Sequence, residues 1–295
     1  AAAADAPAAV GPPSLPQVRE EAPGGTAEPV AVSELPDVVV LRKPPDWEVE
    51  PGQAAPGTEQ IHHLLRFLRA QGPRRRQPIP YDHEHHFGFL HRLDVPCSGL
   101  ILAAKTYGAY YGLQLQLSSG EFVRDYAALS HGWVPPERLQ IEAPVLWSRR
   151  KSMLSTIARR GKPSRTQVRV LAHALAGSGG AAASLVGFRI ATGRRHQIRL
   201  HSAHVGHPVL SDGRYSASRA FLVDGTWCPW TFLHRYNVAF TDSAGTRRDM
   251  LEALPRDLTR AMSRIRPRGA VSAAALEAWQ QGRRTSSWAD LRTLA

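Results

Sequence analysis

The stretch His91-Arg92-Leu93-Asp94-Val95-Pro96-Cys97-Ser98-Gly99-Leu100-Ile101-Leu102-Ala103-Ala104-Lys105 decides how the chain is read. Leu100, Ile101 and Leu102 form an apolar run with the character of a fully buried strand, and Pro96, Ser98 and Gly99 break the chain just before it. Arg92 and Asp94 are two apart, so they share one face of an extended segment. The pattern predicts a strand-turn-strand corner with one carboxylate at the lip of a core. Asp94 then has two readings. It caps the turn or pairs with Arg92 as a surface ion pair of small worth, or it has a chemical task. Local chemistry alone favours the first reading, and the decision falls to the other segments.

The composition narrows the partners. A 295-residue chain that is 43% hydrophobic has enough apolar surface for one large globular domain or two small ones. Lysine and arginine (37) outnumber aspartate and glutamate (25), giving a net charge of +12 and a pI near 10.5. That balance points to a polyanion, with nucleic acid ahead of an anionic membrane surface. Cys97 and Cys228 are the two cysteines, too few for a disulfide framework, which suits a reducing compartment. No apolar run is long enough to span a bilayer, and no secretory apolar region is present. The expected site of action is cytoplasmic or organellar rather than secreted.

Residues 1–36 are rich in Ala, Pro, Gly and Glu and lack aromatic residues, the composition of a disordered lead-in. They set Arg19 against Asp5, Glu20, Glu21, Glu28 and Glu34, so the remainder is more basic than the average. The acids argue against an organelle transit peptide, and a chain starting at Ala1 rather than Met is expected to be processed or a fragment. Val38, Val39, Val40 and Leu41 predict a strand that stops at Lys43-Pro44-Pro45. Ile61, Leu64, Leu65 and Leu68 have helical spacing, with Thr58 and Gln60 as a weak start signal. Arg74-Arg75-Arg76 is either a solvated loop or a phosphate contact. Asp82-His83-Glu84-His85-His86 offers metal-ligand types, but in a loop they crowd too closely to face one centre, and no metal is expected. Residues 110–117 read as a helix and residues 122–129 as a strand carrying Tyr126, while residues 166–175 and 185–191 read as strands around a small-residue loop.

Thr192-Gly193-Arg194-Arg195-His196-Gln197-Ile198-Arg199-Leu200-His201-Ser202-Ala203-His204-Val205-Gly206-His207-Pro208 reads as a helix capped by Thr192 or Gly193 and ended by Gly206 and Pro208. Arg194 and Arg195 in its first turn would oppose the helix dipole, a choice that makes sense if phosphate binds there. His196, His201, His204 and His207 match no zinc spacing. Phe232-Leu233-His234 and residues 237–240 are expected to form a strand pair, and the core to end at a turn over residues 251–258. Residues 272–281 and 288–294 are two short helical patterns, separated by Gly282-Arg283-Arg284, in an appended tail.

Taken together, Arg92-Leu93-Asp94 with Ser98-Gly99-Leu100, and residues 193–201 followed by Gly206-His207-Pro208 and Asp212, resemble the RluA-like pseudouridine synthases. The resemblance spans about residues 38–258 in the family's order, through Lys43-Pro44, Asp94, Arg124-Asp125-Tyr126, residues 162–166, Arg199 and Leu233-His234. It implies an α+β fold with a mixed, mainly antiparallel central sheet, flanking helices and a basic cleft. It also implies that Asp94 is the catalytic nucleophile or base of uridine isomerisation, that Tyr126 packs on the target base and that Arg199 pairs with the carboxylate. Breaking a glycosidic bond needs an ionised carboxylate near sugar and base, and a guanidinium keeps it ionised and oriented. Tyr126 supplies a flat face for an unstacked base. Arg92, Lys43, Arg124, Arg194, Arg195, His196 and Gln197 are the expected substrate and RNA contacts, with no metal and no cofactor.

The resemblance also has departures. Asp46 stands where the family usually has Gly, Cys97 where Thr is usual, Arg124 for Lys, Arg195 for Thr, and Ser211 for Gly. No segment resembles the small S4-type RNA-binding domain, so RNA selection would rest on the domain surface, its loops or the tail. The domain plan is a disordered lead-in (1–36), a pseudouridine synthase domain (37–258) and a helical C-terminal extension (259–295). The expected protein is a monomer acting on ribosomal or transfer RNA without a membrane partner. A non-catalytic RNA-binding or ribosome-assembly factor that keeps the fold is the alternative.

Overall fold

The computed structural model describes residues 28–49, 63–72, 74–75, 77–147, 154–177, 179–282 and 288–294. Its elements are β1 (Val30–Glu34), β2 (Val38–Lys43), α1 (Leu64–Ala70), β3 (Ser98–Ala104), α2 (Tyr107–Ser119), β4 (Val123–His131), β5 (Gln140–Glu142), β6 (Val145–Leu146), β7 (Thr156–Ile157), β8 (Arg165–Ala176) and β9 (Ala181–Ile190). Then follow α3 (Gln197–His204), α4 (Ser218–Gly225), β10 (Leu233–Thr241), β11 (Arg247–Leu251), α5 (Arg256–Met262), β12 (Ile265–Pro267) and α6 (Ala270–Gln280).

The sheet runs β1-β2-β3-β10-β4-β9-β8-β12, with β11 beside β10 and β5 beside β8. Its pairings are antiparallel except for β3 with β10. This is the expected mixed, mainly antiparallel α+β architecture. All seven residues of β3 are buried, as a near-continuous apolar run covered on both faces requires, and each fully buried Leu or Ile there contributes about 1.5–3 kcal/mol. Gly99, at φ +126, passes so close to the Arg235 backbone that a Cβ would collide with it. That close approach brings the end of β3, and the Asp94 turn before it, against β10.

Alternation along the strands sorts side chains into two cores. Tyr126, Ala128, Val168, Val170, Val186, Phe188 and Ile198 pack on one face, beneath α3. Ala127, Leu129, Ala172, Ala174, Leu185, Leu258, Leu276, Trp279 and Trp288 pack on the other. Helix α2 closes a third cluster through Ala109, Tyr110 and Leu113. Thr106 Oγ1 caps that helix by accepting from Ala109 N at 3.2 Å, and Gly120 ends it at φ 83.

Several expectations need correcting. The lead-in expected over 1–36 contains β1, which pairs with β2 and ends at Glu34, whose carboxylate accepts from Lys105 Nζ at 3.1 Å; residues 1–27 lie outside the described residues. The C-terminal segment is no appended tail, because β12 extends the sheet beside β8 while α6 and Trp288 complete the second core. The strand pair expected at 232–240 is one strand, β10, with an irregularity between Arg235 and Asn237. Ile61, Thr58, Gln60, Arg76, Arg283 and Arg284 lie outside the described residues.

Candidate active site

A cleft of about 530 Å³ opens where the Asp94 turn, β4 and the start of α3 meet. Arg199, on α3, lies across it from Asp94. Its Nη1 donates to Asp94 Oδ2 at 3.0 Å, and its Nε and Nη2 donate to Asp212 Oδ2 and Oδ1 at 2.7 and 2.6 Å. The guanidinium is 2% exposed and Asp212 fully buried, whereas the Asp94 side chain keeps 14% of its surface. Asp212 thus locks the cation, and one corner of the cation faces the carboxylate at the cleft.

Burial alone would raise the Asp94 carboxyl, but His196, Arg199 and Arg92 outweigh it and hold its pKa below the ordinary value. His196, 3.9 Å away through Nε2, is itself pushed down to about 4, first by burial. At neutral pH its imidazole is therefore uncharged, and Arg199, helped by Arg92, keeps Asp94 ionised. Arg199 loses solvation by burial, yet its hydrogen bonds to Asp212 and its two carboxylate neighbours raise its pKa. Cys97 lies beneath the turn, its N–H donating to the Asp94 carbonyl at 3.0 Å. Burial pushes its thiol up to about 12, so it stays neutral.

Tyr126 lines the same cleft from β4. Its hydroxyl accepts from Arg235 Nε at 2.9 Å and Nη2 at 2.5 Å, and the Arg235 guanidinium lies 5.0 Å from its ring centroid. Arg235 also donates to His91 Nδ1 at 2.7 Å and to the carbonyls of Leu100 and Arg92 at 3.1 and 3.0 Å. One buried arginine therefore fixes the tyrosine to both ends of the Asp94 turn. Because Arg235 occupies Nδ1 as donor, the His91 proton sits on Nε2. Burial, then Arg235 and Arg124, holds its pKa well below the usual histidine value.

The expected helix at 192 starts later. His196 adopts a left-handed conformation (φ 57) before α3, so Thr192, Gly193, Arg194 and Arg195 form a turn rather than a first helical turn. The dipole argument for Arg194 and Arg195 lapses, although both line the cleft, with the Arg195 guanidinium 5.1 Å from the Trp147 ring centroid. Gln197, expected to contact RNA, is 3% exposed and spends its amide on structure. Its Nε2 donates to Arg165 O and Thr166 Oγ1 at 3.0 and 3.1 Å, and its Oε1 accepts from Thr192 and Arg194 at 2.8 and 3.1 Å. Arg124 lines the cleft but is 3% exposed, and its Nη2 holds the Ala191 carbonyl at 2.8 Å.

Lys43 departs furthest from its expected RNA contact. It is fully buried, and Nζ donates to the carbonyls of Pro44, Trp47 and Val95 at 2.9, 2.8 and 3.1 Å. Burial brings its pKa down to about 7. It ties the 44–47 loop to the Asp94 turn and cannot reach a ligand. His196, by contrast, faces Asp94 and pairs through Nδ1 with Tyr215 Oη at 2.8 Å. In the other histidine cluster, His85 bonds Asp82 and Tyr111 at 2.8 and 2.7 Å. Among the described residues no group of side chains is placed to hold a metal ion.

Arg235, Tyr215 and the locking role of Asp212 escape a reading of the sequence. Arg235 could have been found from its place after Leu233-His234, in register with Tyr126. Two departures from the family pattern have a backbone consequence: Asp46 and Ser211, where Gly is usual, both sit at positive φ (65 and 56). Glycine would adopt that conformation without the side-chain cost.

The family model for RNA pseudouridylate synthase matches residues 37–204. The chain belongs to this family. Ribosomal large subunit pseudouridine synthase D of Vibrio parahaemolyticus is 31% identical over 181 residues, 61% of this chain and 50% of that protein. Synthase C of Vibrio cholerae is 31% identical over 235 residues, 78% of this chain and 67% of that protein. The chain spans about half the length of the synthase D relatives it matches. Human RNA Pseudouridylate Synthase Domain Containing 1 shares the fold, with a TM-score of 0.63 at 22% identity over 87% of this chain and 98% of that one. The RluA-like resemblance of the motifs is thereby borne out.

Proposed function

We propose that this protein isomerises uridine in RNA to pseudouridine, with Asp94 as the reacting carboxylate. The observation that carries this reading is the Asp94–Arg199–Asp212 array, which leaves an ionised carboxylate at a cleft whose wall carries Tyr126. In the reaction the N1–C1′ bond breaks and a C5–C1′ bond forms. The proton on C5 leaves and N1 ends with one, so substrate and product are isomers and no co-reactant is consumed. Asp94 acts on the sugar or base while Arg199 holds its charge and rotamer. Tyr126, immobilised by Arg235, packs against the withdrawn base. Arg92, Arg194 and Arg195 meet the phosphates around it.

Relatives named for the large ribosomal subunit make ribosomal RNA the first substrate to test, and transfer RNA the second. The array is complete within one copy, so the working species is a monomer, with no membrane partner. RNA transcribed with tritium at uridine C5 gives a direct assay, because isomerisation releases that label. Wild type should release tritium and Asp94→Asn should not. Release by Asp94→Asn at the wild-type rate refutes the reading.

A further inference from the structure

The chain from the end of the expected catalytic domain into the expected C-terminal extension carries an unexplained charge pattern. Arg256, Arg260, Arg264, Arg266 and Arg268 are all exposed, and Asp257 is the one acid among residues 256–268. None of the five forms an ion pair with a described residue, in contrast to Arg165, Arg189 and Arg248.

Strand register shows where two of them point. Ile265 of β12 pairs with Ala176 and packs in the second core, so Arg266 and Arg268, of opposite parity, project to the other face. On β8 the irregularity between Val170 and Ala172 puts His173 and Leu175 on that same face, which upstream carries Val168, Val170 and, across β9, Tyr126. Arg266 is paired with Leu175, and Arg268 N donates to His173 O at 2.8 Å. The two arginines and the active site therefore share one face of the sheet. The separation along β8, from the Tyr126 register at Val168 to His173, is roughly 15–20 Å.

An aromatic platform stands beside them. Trp133, 41% exposed, is anchored by Nε1 donating to Ala174 O at 3.3 Å, with the His173 ring 6.3 Å away. The Arg268 guanidinium lies 3.9 Å from its ring centroid. Between this platform and the cleft runs α3, whose far end presents exposed His204 and then His207, bonded to His131 O at 2.9 Å. Glu137 is the single acid in residues 132–139. Unpaired guanidinium groups next to an anchored indole recognise phosphodiester backbone with unstacked bases. A lipid surface would call for large apolar side chains among the arginines, and Ile265, Leu258 and Met262 are buried in the second core instead.

We propose that Arg266, Arg268 and Trp133 form a second RNA-contact surface, on the same face of the sheet as the cleft, that holds the strand flanking the target nucleotide. The proposal rests on RNA as the substrate and assigns this surface to RNA selection rather than chemistry.

Two fluorescein-labelled RNA stem-loops test it, a 40-mer long enough to span cleft and platform and a 12-mer that is not. Binding is measured by anisotropy on the full chain at several salt concentrations. The Arg266→Ala/Arg268→Ala double variant should lower the affinity advantage of the 40-mer over the 12-mer about tenfold and reduce the 40-mer salt slope by about two. Trp133→Ala should lower the advantage with the salt slope unchanged, and Arg268→Lys should restore the slope but only part of the affinity. An unaltered advantage, or equal losses on both RNAs, overturns the proposal. So does binding to phosphatidylserine vesicles that depends on Arg266 and Arg268 while 40-mer binding does not. Tritium release is read separately. A chain that modifies no RNA yet binds the 40-mer through these residues keeps the surface and loses the enzyme reading, and the converse result does the reverse.

Discussion

Two arginine–carboxylate pairs flank β4, one on each face of the sheet, and their difference bears on the role proposed for Asp94. On the side away from the cleft, Asp125 accepts from Arg189 Nε and Nη2 at 2.6 and 2.8 Å and from Asn237 Nδ2 at 3.1 Å. It is fully buried, and burial raises its pKa despite these partners. Arg189 and Arg169 in turn sandwich Trp288, with centroid distances of 5.0 and 4.9 Å. The Asp125 carboxylate is closed off from solvent, and Arg189 joins the C-terminal segment to the sheet. Asp94 receives one guanidinium bond at 3.0 Å, with His196 at 3.9 Å and a solvent-facing remainder. Both are aspartates facing an arginine. The one proposed to react is held ionised with its hydrogen-bonding capacity unfilled, and the other has its carboxylate filled by Arg189 and Asn237.

The largest expected effect breaks the two pairs one at a time. Asp94→Asn should lower tritium release by at least about 10⁴-fold, as removal of a catalytic carboxylate does, and lower stability at neutral pH, where the ionised Asp94 favours folding. Asp125→Asn should leave turnover of the folded protein within tenfold of wild type and should not lower stability at a pH where Asp125 is ionised, because burial already makes that charge oppose folding. Chemical denaturation and initial rates on the same preparations decide it. A folded Asp125→Asn protein without activity would end the distinction.

Arg199→Lys sharpens the same contrast, because Asp212 is fully buried and takes two of the three guanidinium bonds. A lysine cannot serve both carboxylates. Stability should fall by about 3–5 kcal/mol, as when a buried pair is broken, and turnover by about 10²- to 10³-fold, the usual loss for one oriented charge donor. Loss of stability with full turnover would show that Asp94 needs no partner. Smaller again is Tyr126→Phe, which strips the acceptor from two Arg235 donors. It should cost about 1–3 kcal/mol and shift kcat rather than KM, since the ring stays but its anchor is gone.

How far the sequence led is clear from these residues. The corner that holds Asp94 was legible because the apolar run of β3 follows a turn-forming Pro-Cys-Ser-Gly, whereas a chemical role for Asp94 came only through the resemblance. Arg199 was legible only through resemblance, since nothing local brings together residues 105 positions apart. Arg235 was missed for a physical reason. A charged residue inside a strand pattern reads as a break, and the Tyr126 hydroxyl, His91 Nδ1 and two carbonyls on neighbouring segments make its burial tolerable. Lys43 and Gln197 failed in the reverse direction. The resemblance suggested ligand contacts, but Lys43 is consumed by backbone carbonyls and Gln197 by backbone groups and two threonine hydroxyls that a sequence cannot place. Composition reports how many charges there are, and packing decides which of them face solvent.

The smallest expected effect is in pH dependence, where the two aspartates carry opposite signs. The folded pKa of Asp94 lies below its unfolded value of 3.8, so its contribution to stability is complete above pH 3.8 and is lost as the pH falls through the lower folded value. Asp125 is raised, so its charge opposes folding at neutral pH, and that opposition fades as the pH drops through the folded value toward 3.8. As the pH falls, therefore, Asp125 takes up its proton before Asp94 does. The acid limb of kcat/KM that reports Asp94 should lie below pH 3.8 in wild type and be unmoved by Asp125→Asn. In Arg199→Met, burial is no longer offset by the guanidinium, so the limb of the residual activity should move up above pH 3.8. His196 cannot take over that role, because its own pKa near 4 leaves it uncharged across most of the range in which the displaced limb would appear. An Arg199→Met profile that coincides with wild type would mean that Arg92 alone holds Asp94 ionised, and the comparison between the two pairs would then rest on exposure rather than on the arginine.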